Sequence, residues 1–229
     1  MSLRAFVSAL ACAFVAVLPS VAAAADTLDA YRALDRTARA HVLATARSEI
    51  ARAADRGAAT PASAGAHAPP PDWPGPPCGV YLSLAHGRTT RACVGTDAPL
   101  ATLGATLREL ARRIVTDDPR HPPLRAGELD TLAVVVAFAG TPEPIADPMT
   151  VSPSRDGLLI ATPRGRVAFL PGEARTVAWA LSEARRAGIL ERAADATYQE
   201  FAAVVLRDAP APPHAAARDT VHDTPNEAR

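Results

Sequence analysis

The segment that most limits how this chain can fold is Leu132 to Phe138, which reads Leu-Ala-Val-Val-Val-Ala-Phe. A run so dense in β-branched residues reads as a buried strand. Hairpin patterns lie on both sides of it. Upstream, Val80, Leu82 and Leu84 alternate with Tyr81, Ser83 and Ala85, the chain reverses at His86-Gly87, and Arg88 to Val94 forms the return strand. Downstream, Gly157-Leu158-Leu159-Ile160 and Val167 to Leu170 are joined by Pro163-Arg164-Gly165 as a second hairpin.

Helical patterns fill most of the remainder. Leu34, Ala38, Val42, Ala46, Ile50 and Ala53 fall at helical spacing within Asp29 to Arg56, which holds no Gly or Pro and predicts one long amphipathic helix ended by Gly57. Leu100, Leu103, Leu107, Leu110 and Ile114 mark another, with Asp97 near its start and Arg112-Arg113 near its end. After a loop carrying Pro142, Pro144, Pro148 and Pro153, a third helix is expected from about Glu173 to Ala187, opened by Pro171 and stopped by Gly188. A fourth is expected over Ala193 to Leu206. The order helix, hairpin, helix, strand, hairpin, helix, helix argues for an α+β fold with antiparallel sheets and flanking helices. Residues 58–77, rich in Ala, Pro, Gly and Ser, read as an extended connector pinned by Trp73, and residues 208–229 as a disordered tail.

The N-terminus sets the expected compartment. Arg4, the apolar run Ala5 to Leu18, the break at Pro19-Ser20 and the small residues Ala22 to Ala25 have the three-part layout of a secretory signal peptide. Cleavage after Ala25 leaves a periplasmic or secreted chain with residues 26–77 as helix and connector and 78–207 as the main domain. It also removes Cys12 and leaves Cys78 and Cys93, an even pair in an oxidising compartment. No later stretch approaches membrane-spanning length, so no membrane association is expected after cleavage. The 24 basic side chains, all Arg, balance 24 carboxylates, which excludes a general electrostatic footprint for nucleic acid. The partner is instead expected to be a small molecule or a protein. Two Cys and scattered His lack ligand spacing for a metal, and phosphate-cradle and nucleophile-elbow patterns are missing, so no cofactor is implied.

Several blocks carry a resemblance. Thr90-Arg91-Ala92-Cys93-Val94-Gly95 looks like the Leu-Arg-Gly-Cys-Ile-Gly signature of the AMMECR domain family, and Gly79 to Leu84 resembles the family strand before it. Asp118-Pro119-Arg120 with Pro122 resembles the family's Asp-x-Arg-Phe-x-Pro loop. Glu128-Leu129, Val134 to Phe138, Gly157 to Ile160 and Phe169-Leu170-Pro171 follow in the family's order. The resemblance covers roughly residues 40–206 and implies two closely packed subdomains built on antiparallel sheets. It implies a site and names no reaction. Ala92 stands where the signature has Gly, and His121 where the loop has Phe. The resemblance implies mostly intracellular relatives, some of which occur with or fused to Memo-like and radical-SAM proteins, so the export signal is a third departure.

By this resemblance the candidate site comprises Cys93 as nucleophile with Arg91, Gly95, Asp118, Arg120 and His121 as substrate-binding residues. Three readings of Cys93 stand side by side. It is an active thiol beside Arg91 or Arg120, an inert core residue, or half of a disulfide with Cys78, whose partner position depends on the hairpin register. Asp118 and Arg120 read either as an anion clamp or as a brace within their own loop. His121 reads as a general base or a surface histidine. Two functions follow: thiol-dependent catalysis on a small polar or anionic substrate, or a non-catalytic binding module stapled by Cys78 and Cys93.

Overall fold

The computed structural model describes residues 28–57, 71–118, 121–125 and 127–208. The expected leader, most of the connector, the tail beyond Asp208 and Arg120 lie outside them. The β-branched run forms strand β3 (Ala133–Ala139), in which every residue is buried. β1 (Gly79–His86) lies antiparallel along one side, pairing Val80 with Phe138 and Leu84 with Val134, and β2 (Thr89–Thr96) returns outside it.

The other side of β3 holds a surprise in place of the fourth helix. Ala193–Asp195 makes only a 3-10 turn, and the chain then runs straight as β7 (Thr197–Arg207). Tyr198, Phe201, Val204 and Val205 are strand formers, and hydrogen bonding to neighbours on both sides outweighs the helical spacing of this segment. β7 is long enough to serve two halves. Residues 203–207 pair with β3, while residues 197–202 pair with β5 (Asp156–Thr162), which turns into β6 (Gly165–Phe169). The proline-rich loop contributes β4 (Glu143–Ile145), three residues paired with Tyr198–Glu200. Its Pro144 suits a short edge strand, which hid this element from pattern reading. The order is β2-β1-β3-β7-β5-β6 with β4 on β7, antiparallel at every junction, and the fold is α+β.

Helices α1 (Arg36–Gly57) and α2 (Leu103–Thr116) cover one face of the first half. Val80, Leu82 and Leu84 of β1 and Val134, Val136 and Phe138 of β3 meet Ile50, Leu107, Leu110 and Ile114 there. The single long first helix is broken. Residues 28–32 are helical, the chain turns, and the Asp35 carboxylate accepts the Ala38 N–H at 2.7 Å, an N-cap that starts α1 afresh. The break lets Tyr31 bury its ring 4.3 Å from Phe138 while its hydroxyl donates to the Pro76 carbonyl at 2.7 Å. Trp73 does anchor the connector, its indole N–H reaching the Leu100 carbonyl at 3.3 Å. Helix α3 (Val177–Arg186) starts later than Pro171 suggested, because Thr176 caps it by accepting the Trp179 N–H at 3.1 Å. It packs on Leu158, Ile160, Val167 and Phe169 of the second half. Asp208, expected in the tail, is ordered: it accepts the Val134 N–H at 2.6 Å and pairs with Arg47 at 2.8 Å.

A third apolar cluster forms the seam between the halves. Tyr81, Cys93, Val135 and Ala137, from the face opposite the helices, pack with Leu159, Leu170 and Phe201. The Tyr81 and Phe201 rings stack with centroids 5.6 Å apart and planes 12° from parallel. Each ring also lies over a glycine on the neighbouring strand, Tyr81 over its partner Gly95 and Phe201 over Gly157. A Cβ at Gly95 would sit 2.1 Å from the tyrosine ring, and one at Gly157 would sit 2.2 Å from the phenylalanine ring. Replacing Gly157 by Ala therefore has to displace Phe201 and should cost about 1–3 kcal/mol, typical of core overpacking. Urea unfolding should show a lower midpoint at an unchanged slope.

Candidate functional site

The site is built on how the first hairpin is registered. Its two-residue turn is Gly87-Arg88, with Gly87 at φ +57°, one position later than His86-Gly87. Ala85 pairs with Thr90 but Leu84 with Ala92, so Arg91 is an extra, bulged residue. Together these shifts place Cys93 opposite Ser83 rather than Val80. Cys93 joins the seam cluster, whereas Cys78 packs in the helix-covered core on the other face, and no disulfide joins the two. Burial pushes the Cys78 thiol up, against hydrogen bonds with Tyr31 and Ala139 that pull it down.

Arg91 does not line the same cavity as Cys93. Its guanidinium grips Glu128 at 2.9 Å and donates to the Pro122 and Pro123 carbonyls at 3.1 and 3.2 Å, fixing the proline loop onto β2. Glu128, although partly desolvated, is held below the usual carboxylate range by the Arg125 N–H and by Arg91. Asp118 is buried at 5% exposure and accepts the Cys93 N–H at 2.6 Å. β2 is an edge strand, so this carboxylate satisfies a donor that would otherwise point out of the sheet. This contact ties the loop to β2 and is not a bond within the loop itself.

A cavity of about 380 Å³ lies beside the seam, lined by Cys93, Gly95 and Asp118 together with Tyr81, Asp97, Arg113 and Arg166. Asp97 organises it. One oxygen accepts the Tyr81 hydroxyl at 3.3 Å and the other pairs with Arg166 from β6. Burial, reinforced by the Asp97 charge, holds the Tyr81 phenol well above the ordinary tyrosine range, so it remains a donor. The hydrogen bond to Asp97 raises Arg166 in turn. Arg113 reaches in from α2 and donates to the Gly95 carbonyl at 3.2 Å.

Sequence reasoning missed Asp97, Arg113 and Arg166. The Arg112-Arg113 pair reads as a solvated face, which is true only of Arg112, paired with Glu109 at the surface. Arg113 follows Leu110 by three residues, at the margin of the buried stripe, and that position was its signal. Asp97 and Arg166 carried none, since only the packing of the two halves brings them together. His121 lies apart from this cavity, in a second one described below. Among the described residues no group of three or more His, Cys, Asp or Glu is placed to hold a metal ion. No described helix is long and apolar enough to cross a membrane.

Comparison with known proteins bears on the family and on the fold. The model of the AMMECR1 family matches residues 17–205. The chain belongs to the AMMECR1 family. It is 33% identical over 111 residues to a protein of Methanothermobacter thermautotrophicus, covering 46% of this chain and 58% of that one. With a protein of Methanocella arvoryzae it shares 35% identity over 91 residues, 37% of this chain and 46% of the other. The chain thus spans about half the length of the curated relatives it matches. The crystal structure of an uncharacterised protein from Pyrococcus horikoshii has the same fold, with a TM-score of 0.53 at 24% identity over 75% of this chain and 92% of that one.

The Tyr81 environment makes the stability of this AMMECR1 domain depend on alkaline pH. Unfolded tyrosines titrate near pH ~10, whereas folded Tyr81 keeps its proton beyond that point. The folded state therefore holds the extra proton, and its stability is full below pH ~10 and falls as pH rises further. Urea unfolding at about pH 9 and about pH 11 should show this loss. Tyr81→Phe should remove part of it, the rest coming from Tyr31, which burial raises in the same sense.

Proposed function

We propose that this AMMECR1-family protein is exported and acts as a binding domain for a small polar or anionic compound, held in the cavity beside the seam. The observation that carries the reading is the origin of two cationic side chains among its described lining residues. Arg113 comes from α2 on the first half and Arg166 from β6 on the second, and both line the same cavity. A ligand seated there touches both halves at once, meeting the forked guanidinium donors and the fixed Tyr81 and Asp97 pair in one wall. Export rests on the short apolar core and Ala-rich exit at the N-terminus.

A second reading is favoured by the presence of Cys93 in the same wall. Here the Cys93 thiol gives up its proton to water and adds to the carbonyl carbon of a bound ester or thioester, and the adduct expels the alcohol or thiol. Water then hydrolyses the resulting S-acyl intermediate to free the acid and restore the thiol, while Arg113 orients an anionic group. The two readings separate by substitution. The mature protein would be screened by thermal shift against small carboxylates, amino acids and phosphate esters that carry no aromatic ring. Arg113→Gln should weaken any hit by about tenfold or more, the scale of a charge-assisted hydrogen bond, and a hit unaffected by it would sink the cavity assignment. Cys93→Ser should leave binding intact. It should also abolish turnover if the thiol is the nucleophile, and turnover that survives removes the catalytic reading. For export, intact mass of material recovered outside the cytoplasm should begin at Asp26, and a full-length product confined to the cytoplasm would refute it.

A further inference from the structure

At the first hairpin's turn the seam presents a different set of residues. β2, β6 and the loop between Asp117 and His121 each contribute to both cavities, so whatever does not face the first can face the second. The second cavity, about 330 Å³, is lined by Arg88 and Thr90 from the hairpin, His121 from the loop, Arg175 from the approach to α3, and Trp179 on α3. We infer that it is a binding site for an anionic group carried on a flat aromatic ring, that is, an aryl carboxylate or aryl phosphate.

Charge is the first support. Arg88, Arg175 and Arg186 line the cavity against Glu173 and Glu183. Both acids are engaged within the protein: Glu173 accepts the Leu170 N–H at 2.9 Å, and Glu183 pairs with Arg186. Among the described residues Arg88 and Arg175 have neither a hydrogen bond nor an ion pair. Two guanidiniums from opposite halves therefore line one concavity with their forked donors uncommitted, the arrangement that suits a carboxylate or phosphate. The ring is the second support. Trp179 is 40% exposed although it sits on a helix that buries Val177, Ala180 and Ala184. Its indole is held edge-on to Phe169, centroids 5.9 Å apart at 73°. A large aromatic surface fixed in place and left open beside unpaired cations is a stacking platform next to an anion hook.

The test uses Trp179 as its own reporter. The chain has two tryptophans, so Trp73→Phe leaves Trp179 as the sole indole. Its fluorescence would be titrated with phenyl phosphate, inorganic phosphate and benzyl alcohol. Phenyl phosphate should give a saturable change at least about tenfold tighter than either of the others. Arg175→Gln and Arg88→Gln should each weaken it about tenfold, and Arg112→Gln, at the surface of α2, should leave it unchanged. Should Trp73→Phe fail to fold, the difference between titrations of the unmutated protein and Trp179→Phe supplies the same signal. The inference is overturned if phenyl phosphate gives no saturable change. It is equally overturned if inorganic phosphate or benzyl alcohol binds as tightly, or if Arg175→Gln and Arg88→Gln leave the response untouched.

Discussion

Two rings lying nearly flat against one another, Tyr81 and Phe201, set how closely the halves of this protein approach. Each ring needs the bare backbone of a glycine on the next strand, so the stack is in effect four positions wide. The first cavity inherits its shape from that stack. Gly95 leaves its carbonyl open to Arg113, and the hydroxyl of Tyr81 arrives beside Asp97. Because burial keeps the phenol protonated, the Asp97 carboxylate takes one neutral and one cationic donor, and its charge stays tied to Arg166. Polar groups in the cavity are thus oriented by an apolar contact beneath them.

The parts of the fold that local pattern revealed are those whose partners lie close by in sequence. β3, both hairpins and α2 could be read because period-two and period-3.6 spacing report which face is buried. β7 could not. Tyr-Gln-Glu-Phe-Ala-Ala-Val-Val-Leu satisfies a helical stripe as well as a strand, and what decides it is the presence of β3 and β5 on either side, more than thirty positions away. The break at Asp35 was hidden for a different reason. The Ala-rich stretch has no helix breaker, and the turn is stabilised by burial of Tyr31 against a strand that the local sequence does not mention.

At the site, the structure brings Cys93 and Gly95 of the signature and Asp118 of the following loop to one cavity, while Arg91 lies outside it and His121 lines another. A strand of alternating faces predicts that Arg91 and Cys93 point the same way, and the bulge at Arg91 spoils that inference, since one inserted residue interrupts the alternation. The same insertion, with the displaced turn, moves Cys93 away from the side of the sheet that holds Cys78. Residues such as Asp97 and Arg166 had no local mark at all, because an ion pair between two halves exists only once both have folded.

The position of β7 has a consequence for timing. It is the last of the seven strands to be synthesised, yet it lies in the interior of the sheet, bonded to β3 on one half and β5 on the other. Until residues 197–208 are available, both of those strands present open hydrogen-bonding edges, and Val134 and Arg47 wait for Asp208. A chain arranged this way cannot complete this sheet before residues 197–208 have been made. For a protein proposed to be exported, late closure keeps the polypeptide threadable, and the accompanying hazard is an interval in which two open strand edges are exposed to pairing with other chains.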